Sequence, residues 1–505
     1  MNKKNLLITF FLLACFLGLN AQTQPNILFL NIDDLKPMLG PYDYKDISSP
    51  NIDRLAKNGV VFENAYCQQA VCAPSRISLL TGLRPDKTKV WDLRTFMRDM
   101  NPDVVTLPQI FKQNGYETVG YGKIFHGARN GDQISWTIPY EKDDKLTYAD
   151  GFDYPASGKY QAKDIHEAYI EVKNQNLNYK QRNRLLRDKG FRPSTESLDV
   201  PDDAYEDGAI AVQAMKQLEH FSKSDKPFFL ALGFHKPHLP FVAPKKYWDL
   251  YDRDEITLAS YQKKAENAPP SAYHTWGELR NYSDIPREDP VPEDKQRELI
   301  HAYKACVSYI DAQIGMVMNK LDKLGLRENT IVILWGDHGW HLGDHGLWCK
   351  HSNFEQATRV PLIISAPSYL KHQKASTMAE LVDIYPTLTE LAGFHVGEHL
   401  EGKSLVPALK DANKIIKDYA ISQYPRGNNK MGYSIRTNRY RLTLWLQGKF
   451  YKENIISNPD IIGVELYDYK VDPLETKSLV NETGYEEIKE KLQKKLLGLL
   501  EVVNK

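Results

Sequence analysis

The chain has 505 residues and a mass of 58.0 kDa, with 65 basic and 65 acidic side chains and a formal net charge of +0. This balance excludes a general electrostatic attraction to nucleic acid or to an anionic membrane, although it leaves room for a local basic pocket. The length predicts one large domain and a smaller one, because single hydrophobic cores rarely grow to this size.

The first 21 residues have the features of a secretory signal peptide. Lys3 and Lys4 precede an apolar run over residues 6–19, and Ala21 ends a small-residue cleavage site. We therefore predict that the protein is secreted or periplasmic. Residues 12–15 also loosely resemble a lipoprotein signal, so a lipid anchor at Cys15 is the alternative. No later stretch approaches the ~18 apolar residues of a spanning helix, so no transmembrane segment is expected.

Strand-like and helix-like runs alternate along the rest of the chain. They predict strands at 25–32, 60–66, 117–121, 226–234 and 329–335, and helices at 49–56, 76–83, 106–115, 202–221 and 299–326. This alternation indicates a doubly wound α/β sheet with helices on both faces. Residues 130–201 and 255–295 are charged and only weakly periodic, and they predict an insertion near the mouth of the site and a surface excursion.

Polar side chains follow most of these strands. They are Asp33 and Asp34, Cys72, Lys123 and His126, His235 and His238, and Asp337 and His338. Functional groups collect at the carboxyl ends of strands in open α/β sheets, so these are the candidate site residues. The adjacent carboxylates of Asp33 and Asp34 favour a cation between them, whereas the alternative is a helix cap and a solvated neighbour.

The segment around Cys72 carries the most specific motif. Its sequence is Val-Cys-Ala-Pro-Ser-Arg over 71–76 and Leu-Leu-Thr-Gly over 79–82, and it resembles the signature of type I sulfatases. The resemblance implies that Cys72 is oxidised to formylglycine (3-oxoalanine) by a formylglycine-generating enzyme or an anaerobic sulfatase-maturating enzyme. One hydroxyl of the hydrated aldehyde would attack sulfur, and the other would lose its proton to expel sulfate. The alternative is a buried free thiol.

The same resemblance implies roles for the residues around the nucleophile. Arg76, Lys123 and Lys350 would neutralise the sulfate, His126 would act as the base, His235 would act as the general acid, and His238 would support it. A helix beginning just after Cys72 would direct backbone N–H groups and its positive dipole end towards the sulfate.

Two pairs of residues match the metal half-sites of this family. Asp33 and Asp34 form the first, Asp337 and His338 the second, and with an oxygen of residue 72 they imply one Ca²⁺ per chain. Many sulfatases have Asn where this chain has His338. The nitrogen ligand leaves Zn²⁺ or Mn²⁺ open as alternatives.

The run over 336–350 resembles the iduronate-2-sulfatase branch in particular, and this resemblance spans about residues 25–485. Candidate substrate-binding residues are Trp340, His238 and Arg436, the last as a partner for a substrate carboxylate. The resemblance implies an alkaline-phosphatase-like catalytic domain over 25–410. Strands at 431–437, 440–445 and 463–469 and a helix at 485–503 predict a smaller C-terminal α+β domain over 411–505, with an antiparallel sheet.

The predicted function is that of an exported sulfatase. Its substrates would be O-sulfate esters of uronate-containing polysaccharides or their oligosaccharides, such as glycosaminoglycans or ulvan. One alternative is a phosphatase or phosphonate hydrolase of the same superfold, since fold does not fix function. Another is a sulfoglycan-binding protein without catalysis. The Cys-x-Pro-Ser-Arg motif disfavours the first, and the complete set of expected residues disfavours the second.

Overall fold

The structure is a computed structural model that describes residues 24–126, 132–275, 277–427 and 429–503. The predicted signal peptide at 1–21 and the candidate lipid anchor Cys15 lie outside these residues. Within the described part of the chain, no helix is long and apolar enough to cross a membrane.

Sixteen strands and fourteen α-helices lie in the described residues. The strands are β1 (Asn26–Ile32), β2 (Val60–Tyr66), β3 (Glu117–Gly122), β4 (Thr195–Leu198), β5 (Phe228–Phe234), β6 (Phe241–Pro244), β7 (Thr330–Gly336), β8 (His341–Leu342), β9 (Trp348–Cys349), β10 (Arg359–Val360), β11 (Leu362–Ser365), β12 (Gln373–Glu380), β13 (Ala420–Arg426), β14 (Lys430–Arg436), β15 (Tyr440–Gln447) and β16 (Asp460–Asp468). The helices are α1 (Pro50–Lys57), α2 (Cys72–Thr81), α3 (Pro85–Thr88), α4 (Met97–Met100), α5 (Leu107–Gln113), α6 (Lys163–Lys173), α7 (Tyr179–Asp188), α8 (Glu206–Phe221), α9 (Lys245–Trp248), α10 (Glu293–Lys323), α11 (Glu355–Thr358), α12 (Ile384–Leu391), α13 (Val406–Lys410) and α14 (Glu486–Val503).

An eight-stranded mixed sheet forms the centre of the fold. Its strand order is β10-β2-β11-β7-β1-β5-β3, and β12 pairs with β2. The strands β3, β5, β1 and β7 run parallel to one another, while β11 is antiparallel to both β7 and β2. The predicted mixed α/β sheet flanked by helices is confirmed.

Alternate side chains of β1 enter two different hydrophobic cores, because successive side chains of a strand point to opposite faces. Leu28, Leu30 and Ile32 lie in the core that contains the long helix α10, whereas Ile27 and Phe29 lie in the core that contains α2. Both faces of the sheet are therefore buried. This explains why its strands are continuous apolar runs in the sequence.

The carboxyl ends of the four parallel strands meet at one edge of the sheet. Ile32, the last residue of β1, is in register with Phe234 of β5 and with Gly336 of β7. Gly122, the last residue of β3, is in register with Gly233 of β5. The segments that follow these strands, which hold most of the predicted site residues, therefore leave the sheet side by side.

A second sheet lies near the C-terminus, with four antiparallel strands in the order β13-β14-β15-β16. Helix α14 covers it through Leu492, Leu496 and Leu500, which recur on one helix face. The predicted antiparallel sheet is confirmed, but β13 was not predicted, because Pro425 and polar residues interrupt its apolar pattern. The domain boundary near residue 411 stays a prediction.

The insertion over 130–201 is more regular than its weak periodicity predicted. It contains α6, α7 and the short strand β4. The two helices bury Ala168, Val172 and Leu186 in a small cluster of their own. Because the two helices bury so few apolar side chains, the apolar periodicity of the sequence did not predict them.

Candidate active site

Cys72 is the first residue of α2, a helix whose ten residues are all buried. Its Sγ lies 3.4 Å from Nε2 of His338, 3.5 Å from Nζ of Lys123 and 4.0 Å from Oδ1 of Asp34. Burial raises the pKa of the thiol well above its usual value, and the carboxylate of Asp33 adds to this shift. The helix starts earlier than predicted, so residue 72 itself lies in the first turn, where backbone N–H groups lack intrahelical partners.

The two predicted metal half-sites lie together at the sheet edge. The backbone N–H of Asp34 donates to Oδ1 of Asp337 at 2.9 Å. Nε2 of His338 lies 3.2 Å from Oδ1 of Asp34 and 3.6 Å from Oδ2 of Asp337. Asp33 and the other three residues are buried. Asp34 and Asp337 are 303 positions apart in the chain, so the cluster joins residues that are distant in sequence.

Arg76 and Lys123 are buried cations that hold the carboxylates of this cluster. Nη2 of Arg76 donates to Oδ1 of Asp33 at 2.7 Å, and its Nε donates to Oδ2 of Asp337 at 2.9 Å. Nζ of Lys123 lies 2.5 Å from Oδ2 of Asp33. Burial alone would raise the pKa of Asp33, but Lys123 and Arg76 hold it well below its usual value. Arg76 is thereby tied to two candidate metal ligands.

Lys350 is a third buried cation of the cluster, and it pairs with the carboxylate of Asp34. Its Nζ lies 3.0 Å from Oδ2 of Asp34 and 2.9 Å from Oε1 of Glu278. It also lies 4.7 Å from the centre of the Trp340 ring, a cation–π contact. Trp340 is 1% exposed. The predicted substrate-binding side chain of Trp340 therefore packs against Lys350.

The donor set of the cluster fits a divalent cation. Asp33, Asp34 and Asp337 offer carboxylate oxygens. The donor atoms of Asp33, Asp34, Cys72 and His238 lie within 4.8 Å of one another, and those of Asp34, Cys72, Asp337 and His338 form a second, overlapping group of the same size. Burial raises the pKa of Asp34 well above its usual value, and the nearby charge of Asp33 raises it further. The ammonium of Lys350 lowers this pKa, but its effect is smaller than that of burial. A carboxylate in this position needs a further cation to stay ionised. The oxygen-rich set suits Ca²⁺, while the imidazole also suits Zn²⁺ or Mn²⁺.

The charges of the cluster also suit an anionic substrate once a cation is bound. Among the described residues, the carboxylates of Asp33, Asp34, Asp337 and Glu278 pair with three lysine or arginine side chains, those of Arg76, Lys123 and Lys350. With all four carboxylates ionised and the imidazoles neutral, the cluster carries a net charge of about −1. A divalent cation reverses this to about +1, which is the sign that attracts a sulfate monoester.

His126 lies beside Lys123 with a buried Nδ1 that has no hydrogen-bond partner among the described residues. Burial lowers the pKa of His126 to about 2, and the nearby charges of Lys123 and Arg76 contribute to this shift. The imidazole is therefore neutral at physiological pH. The structure places it on the Lys123 side of the cluster.

His238 lies in the cluster, whereas His235, the predicted general acid, lies outside it. Nε2 of His238 lies 3.8 Å from Oδ2 of Asp34 and 3.2 Å from Oε1 of Glu278. Its Nδ1 lies 2.6 Å from the carbonyl oxygen of Leu239. Burial lowers the pKa of His238 to about 3, with Lys350 contributing.

His235 points into a separate acidic group. Its Nε2 lies 3.1 Å from Oδ2 of Asp143 and 3.8 Å from Oε2 of Glu206. Burial would lower the pKa of His235, but Glu206 and Asp143 raise it to about 9. Asp207 accepts from the backbone N–H of His235 at 2.6 Å and so fixes the turn after β5. This turn carries His235 away from the cluster and His238 into it.

The structure does not bring Arg436 into the cluster. Its Nε lies 3.1 Å from Oε2 of Glu355, its guanidinium stacks 3.6 Å from the ring centre of Tyr469, and it is buried. Arg441 pairs with Glu355 as well, and Arg439 pairs with Asp468 at 2.7 Å. Arg436, the side chain predicted to meet a substrate carboxylate, is thus already paired with Glu355 of α11.

Glu278 is a site residue that the sequence did not predict. It lies in the segment over 255–295, whose many charged and proline residues predicted only a surface excursion. Its carboxylate contacts Lys350 and His238 in the cluster. No periodicity or motif marks Glu278, so only the folded path of the chain reveals it.

Comparison with known proteins is consistent with this geometry. The family model described as Sulfatase matches residues 25–394, and that described as N-sulphoglucosamine sulphohydrolase, C-terminal, matches residues 343–501. Iduronate 2-sulfatase of Mus musculus is 36% identical over 542 aligned residues, which cover 93% of this chain and 93% of that protein.

Solved structures share the fold at lower identity. One, described as a complex with its substrate D-glucosamine-2-N,6-O-disulfate, is 22% identical with a TM-score of 0.69 and covers 95% of this chain and 97% of its own. A phosphonate monoester hydrolase from Silicibacter pomeroyi is 18% identical with a TM-score of 0.70, covering 94% and 95%. These two likenesses show the fold alone. The family match over residues 25–394 and the 36% identity to the mouse protein show that this chain belongs to the sulfatase family, in its iduronate-2-sulfatase-like branch, and is a sulfuric ester hydrolase.

Proposed function

We propose that this protein is an exported sulfatase that removes O-sulfate groups from uronate-containing polysaccharides or their oligosaccharides, such as glycosaminoglycans or ulvan. The observation that carries the proposal is the position of Cys72, whose Sγ lies within 4.0 Å of Lys123, His338 and Asp34. The printed name of the mouse relative, iduronate 2-sulfatase, supports a uronate-containing substrate.

Residue 72 supplies the nucleophile after a maturating enzyme of the host has converted the cysteine to formylglycine. The hydrated aldehyde supplies one hydroxyl for attack on sulfur and a second that expels sulfate. Lys123 lies 3.5 Å from Sγ, so its ammonium stabilises negative charge at this position. His126, whose buried Nδ1 has no hydrogen-bond partner among the described residues, accepts the proton that is lost there.

The leaving oxygen of the sugar needs a proton, and His238 is our candidate for its donor once the negative charge of the bound sulfate ester raises the pKa of its imidazole. Its Nε2 lies near Asp34 and Glu278, on the side of the cluster that also holds Lys350. Lys350 and Lys123 neutralise the sulfate oxygens from two directions, while Arg76 keeps Asp33 and Asp337 in place. Stabilisation of the charge on the sulfate oxygens supplies the largest part of the rate enhancement.

Asp33, Asp34, Asp337 and His338 would hold one Ca²⁺ together with residue 72. When bound, the ion supplies positive charge beside the sulfate oxygens. Removal of divalent cations with a chelator is expected to lower sulfate release at least about 10-fold and to lower the melting temperature, because three buried carboxylates lose their shared counter-charge. Added Ca²⁺ should restore both quantities better than Zn²⁺ or Mn²⁺. Full activity after chelation, with metal content confirmed as nil by elemental analysis, would contradict the calcium assignment.

The proposed function is tested with protein co-produced with a formylglycine-generating enzyme. A peptide containing residue 72 should be lighter than the thiol form by about 18 Da, the difference between CH₂SH and CHO. The matured protein should release sulfate from oligosaccharides with a sulfated uronate faster than from sulfated sugars without a carboxylate. Preferential hydrolysis of a phosphonate monoester would favour the phosphonate hydrolase alternative. Tight binding of sulfated glycans without release by the matured protein would favour the binding-protein alternative.

A further inference from the structure

One carboxylate, that of Glu278, contacts three basic side chains at the candidate active site. Its Oε1 lies 2.9 Å from Nζ of Lys350 and 3.2 Å from Nε2 of His238. Its Oε2 lies 3.1 Å from Nε2 of His351. The side chain of Glu278 is 22% exposed, so these contacts are formed mostly out of water, where charged hydrogen bonds are strong.

We propose that Glu278 is a positioning residue for sulfate hydrolysis, which holds the ammonium of Lys350 and the imidazole of His238 towards the sulfate ester. The inference rests on the proposed function. The ammonium of Lys350 pairs with the carboxylates of Asp34 and Glu278. It also lies over the ring of Trp340, so three side chains fix its position. Nδ1 of His238 lies beside a backbone carbonyl oxygen and its Nε2 lies beside Oε1 of Glu278.

Residues of the C-terminal sheet hold His351, which in turn contacts Glu278. Nδ1 of His351 lies 2.7 Å from the hydroxyl of Tyr424 in β13, and Nη2 of Arg426 in the same strand donates to the carbonyl oxygen of His351 at 2.7 Å. Both ring contacts of His351 are satisfied when the proton is on Nε2, because the imidazole then donates to Glu278 and accepts from Tyr424. A carboxylate in a segment without regular structure is thus fixed by a continuous chain of hydrogen bonds.

A purely structural role for Glu278 predicts a different kinetic result from a positioning role. Because Glu278 is an anion next to the sulfate-binding lysine, its removal makes the pocket more positive and should not weaken the binding of inorganic sulfate. Turnover should nevertheless fall, because Lys350 and His238 lose their fixed orientation. A loosened structure would instead weaken sulfate binding and turnover together.

The test compares Glu278→Gln and Glu278→Ala with wild-type protein, each with mature residue 72. Glu288→Gln is the matched control, since Glu288 lies in the same segment and is exposed. We expect kcat to fall about 10- to 100-fold in both Glu278 variants, while the inhibition constant of inorganic sulfate does not rise. Glu278→Asp should restore part of kcat by returning the charge, and the Glu288 variant should match wild type.

Two results would overturn the proposal: a kcat within about twofold of wild type for Glu278→Ala, or a parallel loss of kcat, sulfate binding and melting temperature. A matured wild-type protein that releases no sulfate from any substrate would be a failure of the proposed function and not of this inference. The inference is then decided by crystal structures of wild type and Glu278→Ala with bound inorganic sulfate. Displaced Lys350 and His238 side chains in the variant support it, and unchanged positions overturn it.

Discussion

Replacement of Cys72 by alanine is expected to abolish sulfate release, with a fall in kcat of at least about 1,000-fold. The side chain lies among Lys123, His338 and Asp34, and no other described nucleophilic side chain makes the same set of contacts. The folded state should persist, because alanine keeps the first residue of α2 helical. Sulfate release by ion chromatography and the melting temperature by scanning fluorimetry measure the two effects separately.

Two further variants sharpen the interpretation of this result. Cys306→Ala is a matched control, since Cys306 is also fully buried but lies in the core with α10, and it should retain wild-type turnover. Cys72→Ser should attack once and then stop, because a serine hydroxyl cannot expel the sulfate that it has received. Intact mass should then increase by about 80 Da, the mass of SO₃. Multiple turnovers by the alanine variant would exclude residue 72 as the nucleophile.

Replacement of His238 by alanine is expected to slow hydrolysis of sugar sulfates by about 100- to 1,000-fold, but to slow an activated aryl sulfate far less. A sugar alkoxide leaves only with a proton, whereas a nitrophenolate leaves without one. The reason to choose His238 is its contact with Asp34 and Glu278 inside the cluster. The measured quantity is the ratio of kcat/KM for the two substrates, compared with wild type.

The matched variant is His235→Ala, which removes the neighbouring histidine that the sequence had favoured. Its imidazole is paired with Asp143 and Glu206, so its loss leaves two carboxylates without their cation. We expect a lower melting temperature and equal losses on both substrates, with the substrate ratio unchanged. A selective loss on sugar sulfates in the His235 variant, and not in the His238 variant, would return the acid role to His235.

Much of the site was predictable because it follows from strand ends. The apolar runs before Asp33, Lys123 and Asp337 identify buried strands, and parallel pairing in register brings their carboxyl ends to one edge. The sequence therefore located most of the cluster without any tertiary information. The motif around Cys72 supplied the remaining member, since β2 delivers that segment to the same edge.

The errors arose where the chain turns or where partners are distant in sequence. His238 reaches the cluster from the turn after β5, where Asp207 accepts from the backbone N–H groups of His235 and Lys236, and nothing local to the turn indicates these contacts. Glu278 depends on the path of an irregular segment. Arg436 lies outside the cluster and pairs with Glu355, which is 81 residues away in the chain. Long-range pairing of charges is not encoded in a periodic pattern.

The burial of α2 has a consequence for the order of events in the life of the protein. Cys72 is 1% exposed, and every residue of the helix is packed inside the fold. The oxidation that we propose for residue 72 requires an enzyme to reach this side chain, and the folded chain does not expose it. On this proposal, maturation has to precede completion of the core. A chain that folds before it is oxidised would keep a thiol at the position of its nucleophile.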